Sequence, residues 1–297
     1  MLSRPEYNAE ICAWATSAGL ECMLKENPGS FFDLVKIQKD EASSITLVTV
    51  SLKAWVASGP DNFNLMQEMV FSRRNANEVC VVLWEDFWVK KPELVQSRIS
   101  ALLQQSERIP ARLTKPRRID QQLASAFLEK NHLNGATAAK FKFGLFLPQR
   151  YFRVLKSVDP ELAAQPELLV AVATFSYPRI FMRNEEPHKS YELIRFASLA
   201  GSNVVGGLDK LLRAFQKERM PDDIMSYADR DWSDGKSYRK LGFEETGITE
   251  PEPFLLSLSD LNRLPFAAKV SAEDQVITIR NLGNIKFVKT FEYTQKP

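Results

Sequence analysis

The spacing of hydrophobic and polar positions changes several times along this chain, and each change predicts an element. Over residues 6–26, Ile11, Trp14, Ala15, Leu20 and Met23 recur at helical spacing, which predicts an N-terminal helix that Asn27-Pro-Gly then breaks. Residues 31–38 read as a short strand, and residues 45–55, dense in β-branched side chains, as a long buried one. Residues 61–75 read as a helix capped by Asp61, residues 79–84 as a buried strand, and residues 92–105 as an amphipathic helix facing inward through Leu94, Val95, Ile99 and Leu102. That order of helices and strands suits a small α/β layer domain.

The second half opens with a helix over 121–130. Two long strands follow, near 142–155 and 168–176, joined by a polar, Pro-containing hairpin loop at 157–167. A strand at 191–197 leads through Asn203-Val-Val-Gly-Gly into a helix at 208–219. A strand at 223–228, a short helix at 235–241, a strand after Gly242-Phe243 and a β-rich piece at 276–291 complete the pattern.

A length of 297 residues accommodates about two domains. Arg112-Leu-Thr-Lys-Pro-Arg-Arg118, with Pro110 beside it, reads as an exposed connector, so a boundary is expected near residue 110. The net charge of +2 excludes a polycation held to nucleic acid by bulk charge alone. The distribution says more: 11 basic residues against two acids, Asp120 and Glu129, fall between Arg108 and Lys156. Folded onto one face, Arg112, Lys115, Arg117, Arg118, Lys140, Lys142 and Arg150 could follow a phosphate backbone; otherwise they solvate a linker and hairpin. No apolar run reaches the roughly 18–20 residues of a membrane span, and Met1-Leu-Ser-Arg-Pro-Glu lacks a signal-peptide core. Three cysteines (Cys12, Cys22, Cys80) without a CxxC pair, and only two histidines (His132, His188), lead to the expectation of a cytoplasmic, reduced protein with no metal site.

The Val205-Gly206-Gly207 turn between a strand and a helix lets backbone N–H groups converge at a helix N-terminus, which favours a pyrophosphate; a plain tight turn is the alternative. Together with Ser226–Phe243 and its Tyr238-Arg-Lys-Leu-Gly242-Phe243 element, this turn resembles the acyl-CoA N-acyltransferase (GNAT) superfamily. The resemblance implies a strand that ends in a splayed crevice, acyl-CoA as cofactor, Val205, Gly206 and Gly207 at its pyrophosphate, and Tyr238 as general acid for the departing thiolate. The basic-Gly-x-Gly spacing of that family is absent, because Asn203-Val-Val precedes the glycines.

A second resemblance covers almost the whole chain. Cys80-Val-Val-Leu-Trp-Glu-Asp-Phe-Trp88 and the helix to Leu103 are similar to the last strand and helix of phage homing endonucleases whose nuclease domain is related to very-short-patch repair endonucleases. Phe127–Gly135, Lys142–Phe146, Leu169–Phe175, Tyr191–Phe196, Asn203–Leu208, Ser226–Phe243 and Asn281–Phe287 are similar to the GNAT-like domain that follows in those proteins, and to Mu-type adenine-modification enzymes. The implied architecture is α/β: a small restriction-endonuclease-like α/β domain (1–110), a GNAT-like α+β domain with a mixed sheet (111–260), and a C-terminal β-rich extension packing on the second domain (261–297).

Such a nuclease needs several carboxylates around Mg²⁺. Asp33 takes the first acidic position. Thr49 or Ser51 stands where the second acid belongs, Lys53 remains as a partner, and Val56 replaces the histidine expected after Trp55. Glu85 and Asp86 are the other acids within reach, unless they are a structural end-of-strand pair. The expected function is therefore a nuclease-dead DNA-binding or assembly protein of phage or mobile-element descent, with DNA as partner, a protein complex as a further one, and no membrane. The alternatives are a GNAT-type acyltransferase acting on a nucleobase and an active Mg²⁺-dependent endonuclease. In the second domain, Arg195, Tyr227 and Asp229 are expected to converge beside the Gly-Gly turn, where they would suit a phosphate or an acylated ligand; a buried Arg–Asp pair is the alternative.

Overall fold

The computed structural model describes residues 1–58, 62–156, 163–183, 185–271 and 274–293. Helix α1 (Arg4–Ser17) starts at a capping box: Ser3 Oγ accepts from Glu6 N, and the Glu6 carboxylate accepts from Ser3 N. The helix predicted to run to residue 26 stops earlier, because Gly19 at φ 72° turns the chain into strand β1 (Glu21–Lys25). Strands β2 (Phe32–Asp40) and β3 (Ser43–Val50) follow, and with β4 (Cys80–Trp84) they form a sheet in the order β1-β2-β3-β4, antiparallel except for the β3–β4 pair.

The strand expected to reach residue 55 ends at Val50. The β-branched run stops there, and the chain winds into helix α2 (Leu52–Ser58), whose first N–H, from Leu52, is accepted by Glu85 Oε2 at 2.8 Å. Helix α3 (Phe63–Asn75) follows; the expected Asp61 cap lies outside the described residues. After β4 the chain forms the short helix α4 (Glu85–Lys90) and then α5 (Pro92–Leu102), with Pro92 in the first turn where its missing N–H costs nothing.

The connector is ordered. It forms β5 (Glu107–Pro110), a 3₁₀ turn (Ala111–Leu113) and the exposed edge strand β6 (Lys115–Arg118). Helix α6 (Gln121–Asn131), capped by Asp120, precedes β7 (Phe141–Pro148), which is shorter than expected because residues 149–154 coil into a 3₁₀ segment. Then come β8 (Glu167–Phe175), β9 (Arg179–Arg183), β10 (Glu186–Ser198), β11 (Ser202–Val205), α7 (Gly207–Arg219), β12 (Asp223–Asp229), α8 (Lys236–Lys240) and β13 (Glu244–Ile248). The last strands are β14 (Pro253–Ser257), β15 (Arg263–Pro265), β16 (Val276–Arg280) and β17 (Asn284–Thr290).

Eight of these strands make one mixed sheet in the order β13-β17-β12-β10-β8-β7-β6, with β9 as a hairpin partner of β10. Every pair is antiparallel except β10–β12. The central parallel pair holds register only at Ser190–Glu192 against Asp223–Met225, although both strands run on. Beyond that point they splay. On its other side β10 carries a bulge between Leu193 and Arg195 against β8.

The segment expected to extend the second domain divides. β17 enters the large sheet between β12 and β13, while β14, β15 and β16 form a separate three-stranded sheet that packs on the first half. Leu256, Ile279 and Leu282 share one buried core with Ile11, Trp55 and Trp84, and Trp55 Nε1 donates to Thr278 O at 2.8 Å. Trp232 and Leu133 of the second half belong to that core as well. The outer edge of β4 is satisfied by the second half: Val82 N donates to Asp231 O at 2.8 Å, and Arg74 donates to the carbonyls of Arg230 and Asp231. The Cys12–Cys22 pair is a disulfide bridging α1 and β1, which corrects the expectation of a fully reduced protein; the Gly19 turn brings the two Cα atoms to 5.4 Å. No helix among the described residues is long and apolar enough to cross a membrane.

Candidate functional site

The nuclease-like positions are occupied by structural bonding. Asp33 is buried, and its carboxylate accepts from Arg4 Nε and NH2, from Asn8 Nδ2 at 2.7 Å and from Asn27 N at 2.7 Å. These bonds hold its pKa below the usual carboxylate range despite burial. Thr49, opposite Asp33 in the β2–β3 register, donates to Asn8 Oδ1. Glu85 is fully buried and is spent on the N–H groups of Leu2 and Leu52. Asp86 is clamped by Arg263 Nε and NH2 at 2.7 and 2.9 Å. Lys53 is exposed on α2. Thus Asp33 and Glu85 tie the N-terminus, α2 and β2 together. Among the described residues, no group of three or more His, Cys, Asp or Glu side chains is arranged to hold a metal.

Several side chains of the basic stretch are answered within the chain. Arg117 pairs with Glu167 and lies over Phe146; Arg118 pairs with Glu218; Lys142 donates to Gln121 and to Ala139 O. Lys140 sits over Tyr177, and Arg150 over Tyr151. Arg112 is exposed on the 3₁₀ turn and Lys115 on β6, so β6 is an edge strand guarded by charge.

The glycine turn is a left-handed helix start. Gly206 has φ 77°, and Gly207 is buried, where a Cβ would meet Val204 Cγ1 at 2.9 Å. The turn is knit to the connector, since β11 pairs with β5 in parallel. Lys210 Nζ is turned away to the carbonyls of Ala111 and Thr114, and Asp209 stands in the first turn.

The richest polar chemistry lies where β10 and β12 part. A cavity of about 520 Å³ there is lined by Arg98, His132, Glu192, Arg195, Ser226, Asp229, Trp232 and Tyr238, among others. A neighbouring cavity of about 610 Å³ shares Arg195, Asp229, Leu133 and Asn134, and reaches out to Asp86, Arg263 and Asn262. On the floor, Ser226 Oγ lies 3.1 Å from Leu193 O and 3.0 Å from the Tyr238 hydroxyl. Tyr238 stacks on Phe287 and meets Phe243 edge-on, and burial raises its pKa. It is therefore protonated at neutral pH.

Arg195 does not pair with Asp229. It donates to Ile194 O at 3.0 Å and Gly135 O at 3.4 Å, which pins it against the loop after α6. Tyr227, expected beside it, lines the same cavity as Arg195 and Asp229 and is 38% exposed. Asp229 Oδ1 accepts from Asp231 N at 2.9 Å. Burial raises the Asp229 pKa, while Arg263, Arg98 and Arg74 oppose the rise. Burial and the neighbouring Asp229 charge push Asp231 up to about 8. Both carboxyls therefore sit above the usual carboxylate range, because two acids buried side by side disfavour each other's charge. Burial, followed by the charges of Arg195, Arg98 and Lys91, pushes His132 down to about 3. Its Nδ1 accepts from Asn134 N at 3.2 Å, so the ring is neutral and a weak base.

No protein-family model and no curated protein matches the sequence. Among solved structures, the chain is similar to a NatC complex structure bound to Gag peptide and CoA, at 9% identity over 60% of this chain and 99% of that one, with a TM-score of 0.34. It is similar in the same way to a Bacillus subtilis acetyltransferase in complex with CoA (11% identity, 60% and 99% covered, TM-score 0.33) and to Arabidopsis thaliana NAA60 with a bisubstrate analogue (9%, 60% and 99%, 0.33).

Sequence reasoning located Arg195, Asp229 and Tyr238, which the structure places around one pair of joined cavities. It missed Arg98 and the Ser226 hydroxyl. Arg98 left only a faint signal, a cation next to the buried positions Val95 and Ile99 of an otherwise well-formed amphipathic helix.

Proposed function

We propose that the second half of the chain is a GNAT-like acyltransferase that moves an acyl group from acyl-CoA to a nucleophilic acceptor, with the crevice between β10 and β12 as its active site. The splay of this one parallel pair carries the reading. Two central strands that separate after three paired residues expose main-chain N–H and C=O groups inside a fold where such groups are otherwise paired. An extended, amide-bearing arm can complete the ladder from either side. The bulge at Ile194 breaks the β8 register beside the same opening, a common device for re-aiming groups next to an active site. The order of the mixed sheet and the Tyr238-to-Phe243 closure agree with this reading.

Acyl-CoA would supply an activated acyl carbonyl and a thiolate leaving group. Tyr238 is held by Ser226 and kept protonated by burial, so it serves as the acid that protonates the departing sulfur. Asp229 belongs to a buried carboxyl pair held above the usual carboxylate range, which suits it to be the base that takes the acceptor's proton. His132 is excluded as that base because it is too weak. Val205, Gly206 and Gly207 would present first-turn N–H groups to a pyrophosphate; Gly206 fits because its φ of 77° favours glycine, and a Cβ there would touch Ala111 Cβ at 3.7 Å. The first half closes the crevice with α5 and, with the 253–280 sheet, buries its rim.

The test is a thiol-release assay with acetyl-CoA and a panel of amines. Tyr238→Phe is expected to lower kcat by about 10²–10⁴ with little change in melting temperature, since the ring stacking survives. A wild-type protein that binds no acyl-CoA in calorimetry would overturn the reading.

A further inference from the structure

We propose that the free edge of β9 docks an extended peptide segment of a partner protein, one with apolar residues at its centre and a carboxylate opposite Arg179. The proposal is independent of the acyltransferase reading.

β9 and the start of β10 form a two-stranded ribbon at the margin of the large sheet, paired from Arg179–Ser190 to Arg183–Glu186. On the other side of β9 no strand follows among the described residues. β7, the next strand beyond β8, begins at Phe141, opposite Phe175. All of β9 is exposed, with Ile180 at 62%, Phe181 at 47% and Met182 at 65%. Ile180 and Met182 share one face of the ribbon; Phe181 lies on the other, its ring centre 4.9 Å from that of His188. Alternate residues of an edge strand turn their N–H and C=O groups outward, ready to pair with another chain. The other two edges of this sheet are guarded. β6 carries Lys115, Pro116, Arg117 and Arg118, and β13 carries Glu244 and Glu245. β9 alone keeps charge at its ends and sets three consecutive apolar side chains between them.

The edge chemistry selects the occupant. Among the described residues, no carboxylate lies within ion-pair distance of Arg179, and Lys140 over Tyr177 and Lys189 opposite Ile180 add cations at that end. At the turn end, Glu185 and Glu186 already offset Arg183, so the Arg179 end is where an acid is wanted. A second copy of the chain fits worse. Two β9 edges paired antiparallel about Phe181 would set Arg179 of one against Arg183 of the other, and like charges directly opposite destabilise a ladder. A bilayer fits worse still, because an unpaired main-chain edge cannot enter hydrocarbon. A peptide strand pairs the main chain, covers Ile180, Phe181 and Met182 with its own alternating side chains, and brings a carboxylate to Arg179.

The experiment is fluorescence anisotropy on the full chain with two labelled, end-capped peptides, Asp-Val-Ile-Val-Thr and Thr-Val-Ile-Val-Asp. One of them is expected to bind saturably, and which one gives the strand direction. Lysine in place of its aspartate should weaken binding about fivefold, one cross-strand charge pair reversed in sign. Methylating one set of alternate peptide nitrogens should weaken it at least ~tenfold, and methylating the other set should change it less than ~twofold, because only one set faces the β9 ladder. The Ile180→Lys, Met182→Lys double variant gives β9 a guarded edge and should bind about tenfold more weakly at an unchanged melting temperature, since both side chains are exposed. Failure of both peptides to bind overturns the proposal, as does binding that ignores the lysine exchange or survives methylation of either set. Sedimentation velocity showing a dimer that the double variant abolishes, with no peptide bound, would assign the edge to a second copy instead. Phosphatidylserine vesicles that bind through the same side chains, with no peptide bound, would assign it to lipid.

Discussion

At the scale of single residues, burial decides what each ionisable group can do. Asp33 and Glu85, the most nuclease-like acids of the sequence, accept so many N–H bonds that each holds the fold together and neither is free to ligate an ion. Asp231 is the opposite case: its carboxyl is pushed up to about 8 by burial and by Asp229. In the unfolded chain an aspartate titrates near ~3.9, so between that pH and about 8 the folded state holds a proton the unfolded state has lost. The stability this proton brings is complete at low pH and is lost as pH rises through the folded pKa. Asp231→Asn removes the titration. Its melting temperature is expected to fall less between pH 5 and 9 than that of wild type, by several degrees at about 2–4 °C per kcal/mol. Parallel profiles in differential scanning calorimetry would refute the assignment.

At the scale of elements, turns place the chemistry. Gly283 leads into β17 with φ 78°, and a Cβ there would lie 2.2 Å from Thr249 O. Gly201 has nearly the same φ, 77°, but faces open space. Backbone strain is common to both, whereas the clash belongs to Gly283 alone. Gly201→Ala is expected to cost about 1 kcal/mol and Gly283→Ala at least ~3 kcal/mol, by urea melts. Equal costs would show that the β13–β17 corner adapts freely. The same reasoning explains the helix starts. Leu52 begins α2 because the Glu85 carboxylate takes its N–H, a tertiary cap that β-branched spacing alone does not reveal.

At the scale of the whole molecule, the two halves share one core. Leu256, Ile279, Leu282 and Trp232 pack with the first half's aromatic cluster, Asp86 pairs with Arg263 across the junction, and Val82 bonds to Asp231 across a sheet edge. The chain is therefore expected to unfold in a single calorimetric transition whose van't Hoff and calorimetric enthalpies agree. Two separated transitions would show that the junction is weaker than its contacts indicate.

The sequence by itself determined most of the elements, because periodicity and caps act locally. The Pro92 start of α5, the Asp120 cap of α6 and the bounds of α7 lie within a few residues of where spacing puts them. It also pointed to Tyr238, Arg195 and Asp229. The β9 hairpin and α4 escaped it, being short and without a clear period. Only the tertiary structure decided that the β15–β16 segment belongs with the first half, that Cys12 meets Cys22, and that Arg98 of α5 reaches the crevice. Each of these depends on contacts between residues distant in sequence, where burial and charge act through space and leave no period to read.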